Sequence, residues 1–277
     1  MGKRSILVRQ RKGGVAKSTV SIALVNALAA DGVSLRLIDA DTTDAADDGA
    51  SLSGVFGDQV EAFAINPEAT AVIADPNQLM RHWFPLCSAI MDGDVLVDFG
   101  ANTNAPFDAA LDAGGWAEEF AEAGTDIQVV IPVTANPDAV RGGIEGVESV
   151  QRLLPAAGII LAFVQKEGTF DDYRHDRTYQ ELMALADSGV KMIDVPRCTS
   201  TLWRPIEINR LDYVTALAAA RADVTGFAER LGMERTDVRM GIRSLSDWYQ
   251  AVVQEFRNVG LVPHPRPVLR DREAVEI

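Results

Sequence analysis

Short, strongly hydrophobic runs recur along the chain and alternate with longer stretches of helical character. Most of these runs are rich in Val, Ile and Leu, and several are apolar at consecutive positions, which is typical of strands covered on both faces. The predicted strands span residues 5–10, 33–40, 59–65, 94–100, 126–134, 158–165 and 190–196. The predicted helices between them span residues 17–31, 76–91, 105–123, 137–155 and 171–188.

This alternation predicts an α/β fold. Helices that alternate with buried strands imply right-handed crossovers, and therefore a doubly wound, mostly parallel sheet flanked by helices. The last third of the chain changes to helical patterning throughout, with predicted helices at 211–221, 222–232 and 244–258. We therefore expect a core over residues 1–210, helices packed on that core over 211–262, and a loose tail over 263–277.

Composition and charge restrict the partners and the cellular location that we expect for the protein. The 277 residues carry a formal net charge of −14, so contact with DNA would need a local basic patch. Cys87 and Cys198 are far apart and lack the spacing of a zinc site or a disulfide framework. No apolar run approaches the ~20 residues of a membrane-spanning helix, and the N-terminal one is too short for a signal peptide. We expect a cytoplasmic protein without membrane association.

The first predicted strand runs into RQRKGGVAKSTV, residues 9–20. A phosphate-binding loop reads G-x-x-x-x-G-K-[ST], and Arg11 and Ala16 stand in place of its two glycines. The context still fits, because a strand, a glycine turn and a helix follow in that order, and both the turn and the helix N-terminus favour an anion. In such a loop Lys17 reaches the β- and γ-phosphates and the Ser18 hydroxyl ligates Mg²⁺. The predicted nucleotide contacts are Gly13, Gly14, Val15, Ala16, Lys17, Ser18 and Thr19.

Carboxylates follow two other predicted strands. The second strand ends in LIDADTTDAADD, where Asp39 and Asp41 are two positions apart and therefore point to the same face of the strand. Ligands bind parallel sheets at this carboxyl end. The strand DVLVDFG ends in Asp98, which matches a Walker B carboxylate that holds Mg²⁺ through water. Gly100 then gives a turn whose N–H can sense a γ-phosphate. Three motifs in this order predict a P-loop nucleotide site.

The segment KGGVAKST, residues 12–19, resembles the deviant Walker A motif K-G-G-x-G-K-[ST] of the ParA/MinD family of P-loop ATPases. The resemblance implies ATP and Mg²⁺ as ligands and an ATP-dependent homodimer. It makes Lys12 the signature lysine that reaches the partner's nucleotide, and Lys17 the ordinary Walker lysine. It also implies that Asp41 orients the attacking water while Asp39 supports the Mg²⁺ shell.

Ala16 departs from the family motif, which has glycine at this position. If the backbone here needs a positive φ, alanine costs on the order of 1 kcal/mol, and its methyl group crowds a loop built for close approach. We expect this residue to affect hydrolysis or tight dimerisation more than nucleotide binding. The expected enzyme is therefore a slow ATPase.

The family resemblance also implies which residues contact the nucleobase. Related proteins place an Asn at the end of the strand after the long central crossover, and a second contact after a later V/I-P. Here AFVQKEG supplies Gln165 at the first position, and DVPRCTS supplies Pro196 and Arg197 at the second. Glutamine offers the same amide donor and acceptor as asparagine. The family implies adenine as the base.

A further resemblance concerns the branch of the family. The segments GDVLVDFGANTNAPF, VVIPVTANPDAVRGGIEGV and FVQKEG are similar to the conjugal-transfer and plasmid-stability (TraL-like) branch, over roughly residues 1–210. This resemblance implies a switch in plasmid partition or stability, or in conjugal DNA transfer, that works with a small activating partner protein. Two alternatives stay open: a cargo- or division-positioning ATPase without DNA binding, and a weakly hydrolysing nucleotide-gated scaffold.

The sequence also leaves non-specific DNA binding open. Arg235, Arg239 and Arg243 are spaced at i, i+4 and i+8 and could form a basic stripe on one helix face. Acidic residues lie among these arginines, and we expect Gly241 to interrupt the helix. A solvated, charged face is therefore the preferred interpretation.

Overall fold

A computed structural model describes residues 3–40, 51–63 and 76–264 of the chain. Its strands are β1 (Arg4–Val8), β2 (Arg36–Ala40), β3 (Val60–Ala62), β4 (Val95–Phe99), β5 (Asp126–Thr134), β6 (Gly158–Val164) and β7 (Lys191–Val195). Together they form one sheet with the order β3-β2-β4-β1-β5-β6-β7. All of its strand pairs are parallel, so the doubly wound α/β fold predicted from the alternating pattern is confirmed.

Helices cover both faces of the sheet. The first six are α1 (Lys17–Ala30), α2 (Leu52–Phe56), α3 (Pro76–Asp92), α4 (Asn104–Gly114), α5 (Trp116–Glu122) and α6 (Pro137–Leu153). The others are α7 (Arg177–Ala184), α8 (Trp203–Ile208), α9 (Tyr213–Ala222), α10 (Val224–Leu231) and α11 (Arg235–Asn258). Successive strand residues point to opposite faces, so Leu7 joins the core under α3 to α7, while Ile6 and Val8 join the core under α1 and α9 to α11.

Two predicted helices are divided in the structure. The helix predicted over 105–123 is α4 followed by α5, because Gly115 between them adopts a left-handed conformation with φ of 61°. The helix predicted over 171–188 is reduced to α7, with short 3₁₀ turns before and after it. Helix α8 was not predicted, since its six residues are too few to produce a clear period.

Helix α11 begins at Arg235, nine positions before the predicted start at 244. Gly241 lies within this helix, so the prediction that it interrupts the helix was wrong. A Cβ atom at position 241 would lie 2.5 Å from Leu202 Cγ, and the missing side chain therefore allows the helix to pack closely on the segment before α8. The glycine serves packing between elements, which the local sequence does not reveal.

Strand β7 lies at one edge of the sheet and is fastened to α11. The backbone N–H of Asp194 donates to Glu255 Oε2 at 3.2 Å, and Lys191 Nζ donates to the carbonyl oxygen of Val259 at 2.8 Å. These two bonds fix the last long helix to the outer strand. None of the helices in the described ranges combines the length and apolar composition needed to cross a membrane.

Candidate functional site

The loop between β1 and α1 has the backbone geometry of an anion-binding turn. Gly14 has φ of 77°, and Ala16 has φ of 64° and ψ of 34°, so both lie in the left-handed region. Helix α1 begins at the next residue, Lys17. Alternating backbone conformations of this kind turn successive N–H groups toward one point, and the helix N-terminus adds a partial positive charge. The loop is therefore suited to bind phosphate.

Two lysines flank the centre of this loop. Lys17 Nζ donates to the carbonyl oxygen of Lys12 at 3.4 Å, so the Lys17 side chain crosses the loop. The backbone N–H of Lys12 donates to Gln10 Oε1 at 3.4 Å, while its side chain is exposed. Lys17 is thus placed over the turn itself, and Lys12 lies at its outer rim.

Two buried aspartates face each other across neighbouring strands. Asp39 on β2 and Asp98 on β4 are register partners, 7% and 4% exposed. Asp39 Oδ2 accepts hydrogen bonds from the backbone N–H of Ser53 at 3.2 Å and from its hydroxyl at 2.6 Å. Burial and, to a smaller extent, the charge of Asp39 raise the pKa of Asp98 to about 7, against the opposing effects of Ser18, Lys17 and Ser21. The pair therefore strongly favours a cation nearby.

The donor set around Asp98 fits Mg²⁺. Its Oδ1 atom is buried and has no hydrogen-bond partner among the described residues. Burying such a carboxylate oxygen costs free energy unless a cation or a hydrogen-bond donor contacts it. The ranges described contain no group of three or more His, Cys, Asp or Glu side chains that could hold a metal ion. Mg²⁺ usually binds through one or two carboxylates, waters and substrate phosphates, so Asp98 and Ser18 are suitable protein ligands, with Asp39 behind them.

A cavity of about 230 Å³ opens beside the loop, between α1 and the ends of β6 and β7. Trp203 and Trp248 form part of its wall, and Trp248 Nε1 donates to the carbonyl oxygen of Pro196 at 2.8 Å. Its other lining residues are Ala16, Thr19, Val164, Lys166, Val195, Pro196, Arg197, Cys198 and Glu207. The cavity combines aromatic surface with one carboxylate and two cations, as a site for a planar polar ring would.

The structure brings most of the predicted site residues together. Pro196 and Arg197 reach the cavity at the loop, but Gln165 lines a different cavity of about 350 Å³ under α7. Asp41, the predicted water-orienting residue, lies outside the described residues. Lys166 and Glu207, which also line the cavity at the loop, were not among the predicted site residues. Side chains alternate between the two faces of a strand, and this alternation, continued past the end of β6, could have indicated Lys166 in place of Gln165. Glu207 could not be found in this way, because it lies on helix α8, which was not predicted.

A family model describes the CobQ/CobB/MinD/ParA nucleotide-binding domain (CbiA), and it matches residues 6–264 of the chain. The chain belongs to this family. The ParA/MinD resemblance of the loop motif is thereby confirmed. No curated protein matches the chain in sequence.

Solved structures of distant proteins are also similar to this family member. MinD from Aquifex aeolicus is 13% identical with a TM-score of 0.45, and the match covers 95% of this chain and 98% of MinD. A plasmid partition protein from Borrelia burgdorferi is 15% identical with a TM-score of 0.41, covering 70% and 89%. Cobyrinic acid a,c-diamide synthase from Mycobacterium smegmatis, with bound ADP and magnesium, is 18% identical with a TM-score of 0.40, covering 80% and 96%.

Ala16 is strained in this member of the family, because its φ of 64° meets the condition under which alanine carries a cost. We expect Ala16→Gly to raise the free energy of unfolding by about 0.5–1 kcal/mol, since glycine adopts the left-handed region without a steric penalty. Urea denaturation followed by circular dichroism measures the change. Ala29→Gly, at an exposed position of α1, is the control and should lower stability by up to about 1 kcal/mol. A loss of stability in Ala16→Gly would contradict the strain.

The raised pKa of Asp98 predicts a pH-dependent stability. The folded-state pKa of about 7 lies above the ordinary 3.8, so the stabilising contribution is complete below pH 3.8 and disappears as the pH rises through 7. We expect Asp98→Asn to gain stability over the unaltered chain between pH 5 and pH 8, by about 3 kcal/mol in the absence of ligand. Denaturant curves at both pH values measure it. Asp58→Asn, at an exposed residue, should give no such trend; parallel pH profiles for Asp98→Asn would refute the argument.

Proposed function

We propose that the protein is a Mg²⁺-dependent ATPase that dimerises around nucleotide and acts as a switch in plasmid partition or stability, or in conjugal DNA transfer. One observation carries the proposal. The left-handed loop with Lys17 lies at the same end of the sheet as the buried pair Asp39 and Asp98. Phosphoryl transfer depends mainly on positioning and on neutralising charge, and this arrangement supplies anion donors and cation ligands together.

The chain's own groups have separate roles in this proposal. The loop N–H groups and Lys17 hold the β- and γ-phosphates, and Ser18 and Asp98 hold Mg²⁺. When bound, Mg²⁺ supplies charge neutralisation on the transferring phosphoryl group. Gly100 N–H now donates to the carbonyl oxygen of Ala40 at 3.2 Å, so contact with a γ-phosphate would require this bond to open. Asp41 remains the proposed residue that orients water.

The cavity beside the loop is the proposed nucleobase site. Adenine offers a donor at its amino group and an acceptor at ring N1, and Glu207 and Lys166 provide the complementary acceptor and donor. The pKa of Glu207 is raised, because the effect of burial outweighs the opposing effect of the Lys166 charge. Pro196 and Arg197 remain proposed base contacts, whereas Gln165 would act on the base only after a rearrangement of the segment following β6.

The proposed dimer gives the exposed Lys12 a function. Its side chain is exposed at the rim of the loop, and in the proposed dimer its ammonium group would contact the nucleotide held by a second copy. A small partner protein that activates hydrolysis is part of the same proposal. DNA contact would use Arg235, Arg239 and Arg243, which are exposed on the continuous helix α11, although Asp247 lies 3.8 Å from Arg243 and the chain as a whole is acidic.

Calorimetry with Mg·ATP tests the central claim, followed by sedimentation of the protein with and without nucleotide. We expect Mg·ATP to bind one site per chain and to convert monomer into dimer. Lys12→Ala should retain binding to the monomer but fail to dimerise. Absence of Mg·ATP binding by the unaltered chain would refute the proposed function.

Two alternatives make different predictions in the same assays. A cargo- or division-positioning ATPase would show turnover and dimerisation but no salt-dependent affinity for DNA. A nucleotide-gated scaffold would dimerise without appreciable turnover, and the left-handed Ala16 is the observation that favours it. In that case Ala16→Gly should restore hydrolysis.

A further inference from the structure

Arg9 is a buried cation just before the phosphate-binding loop. Arg9 is only 4% exposed. Its guanidinium carbon lies 5.8 Å from the ring centroid of Phe99 and 5.7 Å from that of Phe107. Its Nε donates to Asn104 Oδ1 at 3.0 Å, and one terminal nitrogen donates to Asp108 Oδ1. The end of β1 is therefore bound to the first two turns of α4.

The second oxygen of Asp108 binds the loop itself. Asp108 Oδ2 accepts from Arg11 at 3.0 Å and from the Ser149 hydroxyl, on α6, at 2.8 Å. The residue is 6% exposed, whereas the Arg11 side chain is 42% exposed. Asp108 thus joins three parts of the molecule: the end of β1, the start of the loop, and α6.

Asn104 connects the same helix to the turn after Asp98. Its Nδ2 donates to the carbonyl oxygen of Gly100 at 2.7 Å and to that of Gln10 at 3.2 Å. The start of α4 is therefore bonded both to the residues before the loop and to the turn that follows β4.

We propose that Arg11 and Asp108 form a tether that positions Lys12 for its contact with a second copy of the chain; this inference rests on the proposed nucleotide-dependent dimer. Arg11 immediately precedes Lys12, so anchoring its side chain fixes the backbone from which the exposed lysine extends. A lysine on a fixed backbone has less conformational freedom to lose when it docks. Arg11 suits this task because its planar guanidinium is pre-organised for a carboxylate.

Arg11→Ala tests the tether, with Ser149→Ala as the matched control. Both variants remove one hydrogen bond to the same oxygen of Asp108, but only the first releases the loop. We expect Arg11→Ala to lower kcat and dimer affinity about tenfold while the Kd of monomer for Mg·ATP changes less than about twofold, because misplacement affects the remote lysine and not the phosphate contacts. Ser149→Ala should change none of the three, and Arg11→Lys should recover part of the loss.

Hydrogen exchange gives a readout that does not depend on activity. Amides of residues 11–14 should exchange faster in Arg11→Ala than in Ser149→Ala or the unaltered chain. Equal exchange in the two variants, or equal loss of kcat, would overturn the tether while leaving the proposed function intact. If the unaltered chain binds no Mg·ATP, the proposed function fails, and the exchange comparison alone decides whether the tether exists.

Discussion

Lys17→Ala is expected to abolish useful binding of Mg·ATP, with a rise in Kd of about 100-fold and no detectable turnover. The substitution removes the ammonium group, and with it the charge-assisted hydrogen bonds to phosphate, each of which contributes about 1.5–3 kcal/mol. The fold should survive, because Lys17 lies in the first turn of α1 and is not part of the core. Calorimetry with Mg·ATP measures the change, with circular dichroism as the check on folding.

Lys12→Ala is the matched control for this prediction. It removes the same charge five positions earlier, from a side chain exposed at the rim. A lysine that acts on the partner's nucleotide should contribute little to binding in the monomer, so its Kd should change less than about threefold, well under the effect expected for a direct phosphate contact. Equal losses in the two variants would contradict the division of roles between the lysines.

Asp108→Ala should give the largest loss of stability, about 3–5 kcal/mol, because it leaves the buried Arg9 guanidinium without a counter-charge. Chemical denaturation at pH 7 measures the loss. Asp112→Ala, on the same helix, removes an exposed partner 3.6 Å from Arg152 and should cost less than about 1 kcal/mol. Similar losses in the two variants would show that the buried cation finds other partners.

The pH dependence of this contribution has a definite sign. Burial raises the pKa of Asp108, but the charge of Arg9 and the hydrogen bonds from Arg9, Ser149 and Arg11 outweigh it and hold the pKa below its ordinary value. The stabilisation is therefore present above the ordinary pKa of 3.8 and is lost as the pH falls through the folded-state value. The advantage of the unaltered chain over Asp108→Asn should therefore stay constant above pH 3.8 and shrink only as the pH falls below that value.

The sheet could be predicted from the sequence because its signal is local. Strands buried on both faces are apolar at nearly every position, and Gly13, Gly14, Lys17 and Ser18 form a motif within a few residues. The placement of Asp98 beside the loop also followed, since parallel strands end at one edge. What the pattern could not provide is the detailed position of Asp39 against Asp98, which depends on strand order.

The remaining features depend on contacts between residues far apart in the chain. Arg9 and Asp108 are 99 positions apart, and no local sequence pattern around either residue predicts that the two form an ion pair. Gly241 looks like a helix breaker until the packing of Leu202 against it is known. Lys166 lines the cavity beside the loop, whereas Gln165 lines the other cavity. Both residues follow the end of β6, and the ends of strands are the part of an element that a sequence pattern predicts least accurately.

The bond between the Asp194 N–H and Glu255 has a consequence for colloidal behaviour. An open strand edge offers unpaired backbone donors to any other extended chain, which is a common start of aggregation. At β7, one of these donors is already occupied by a side chain from α11, and the exposed Lys191 adds a charge beside it. This edge is therefore a poor template for another strand. Joining of copies at β7 should therefore compete poorly with the proposed contact between nucleotide faces.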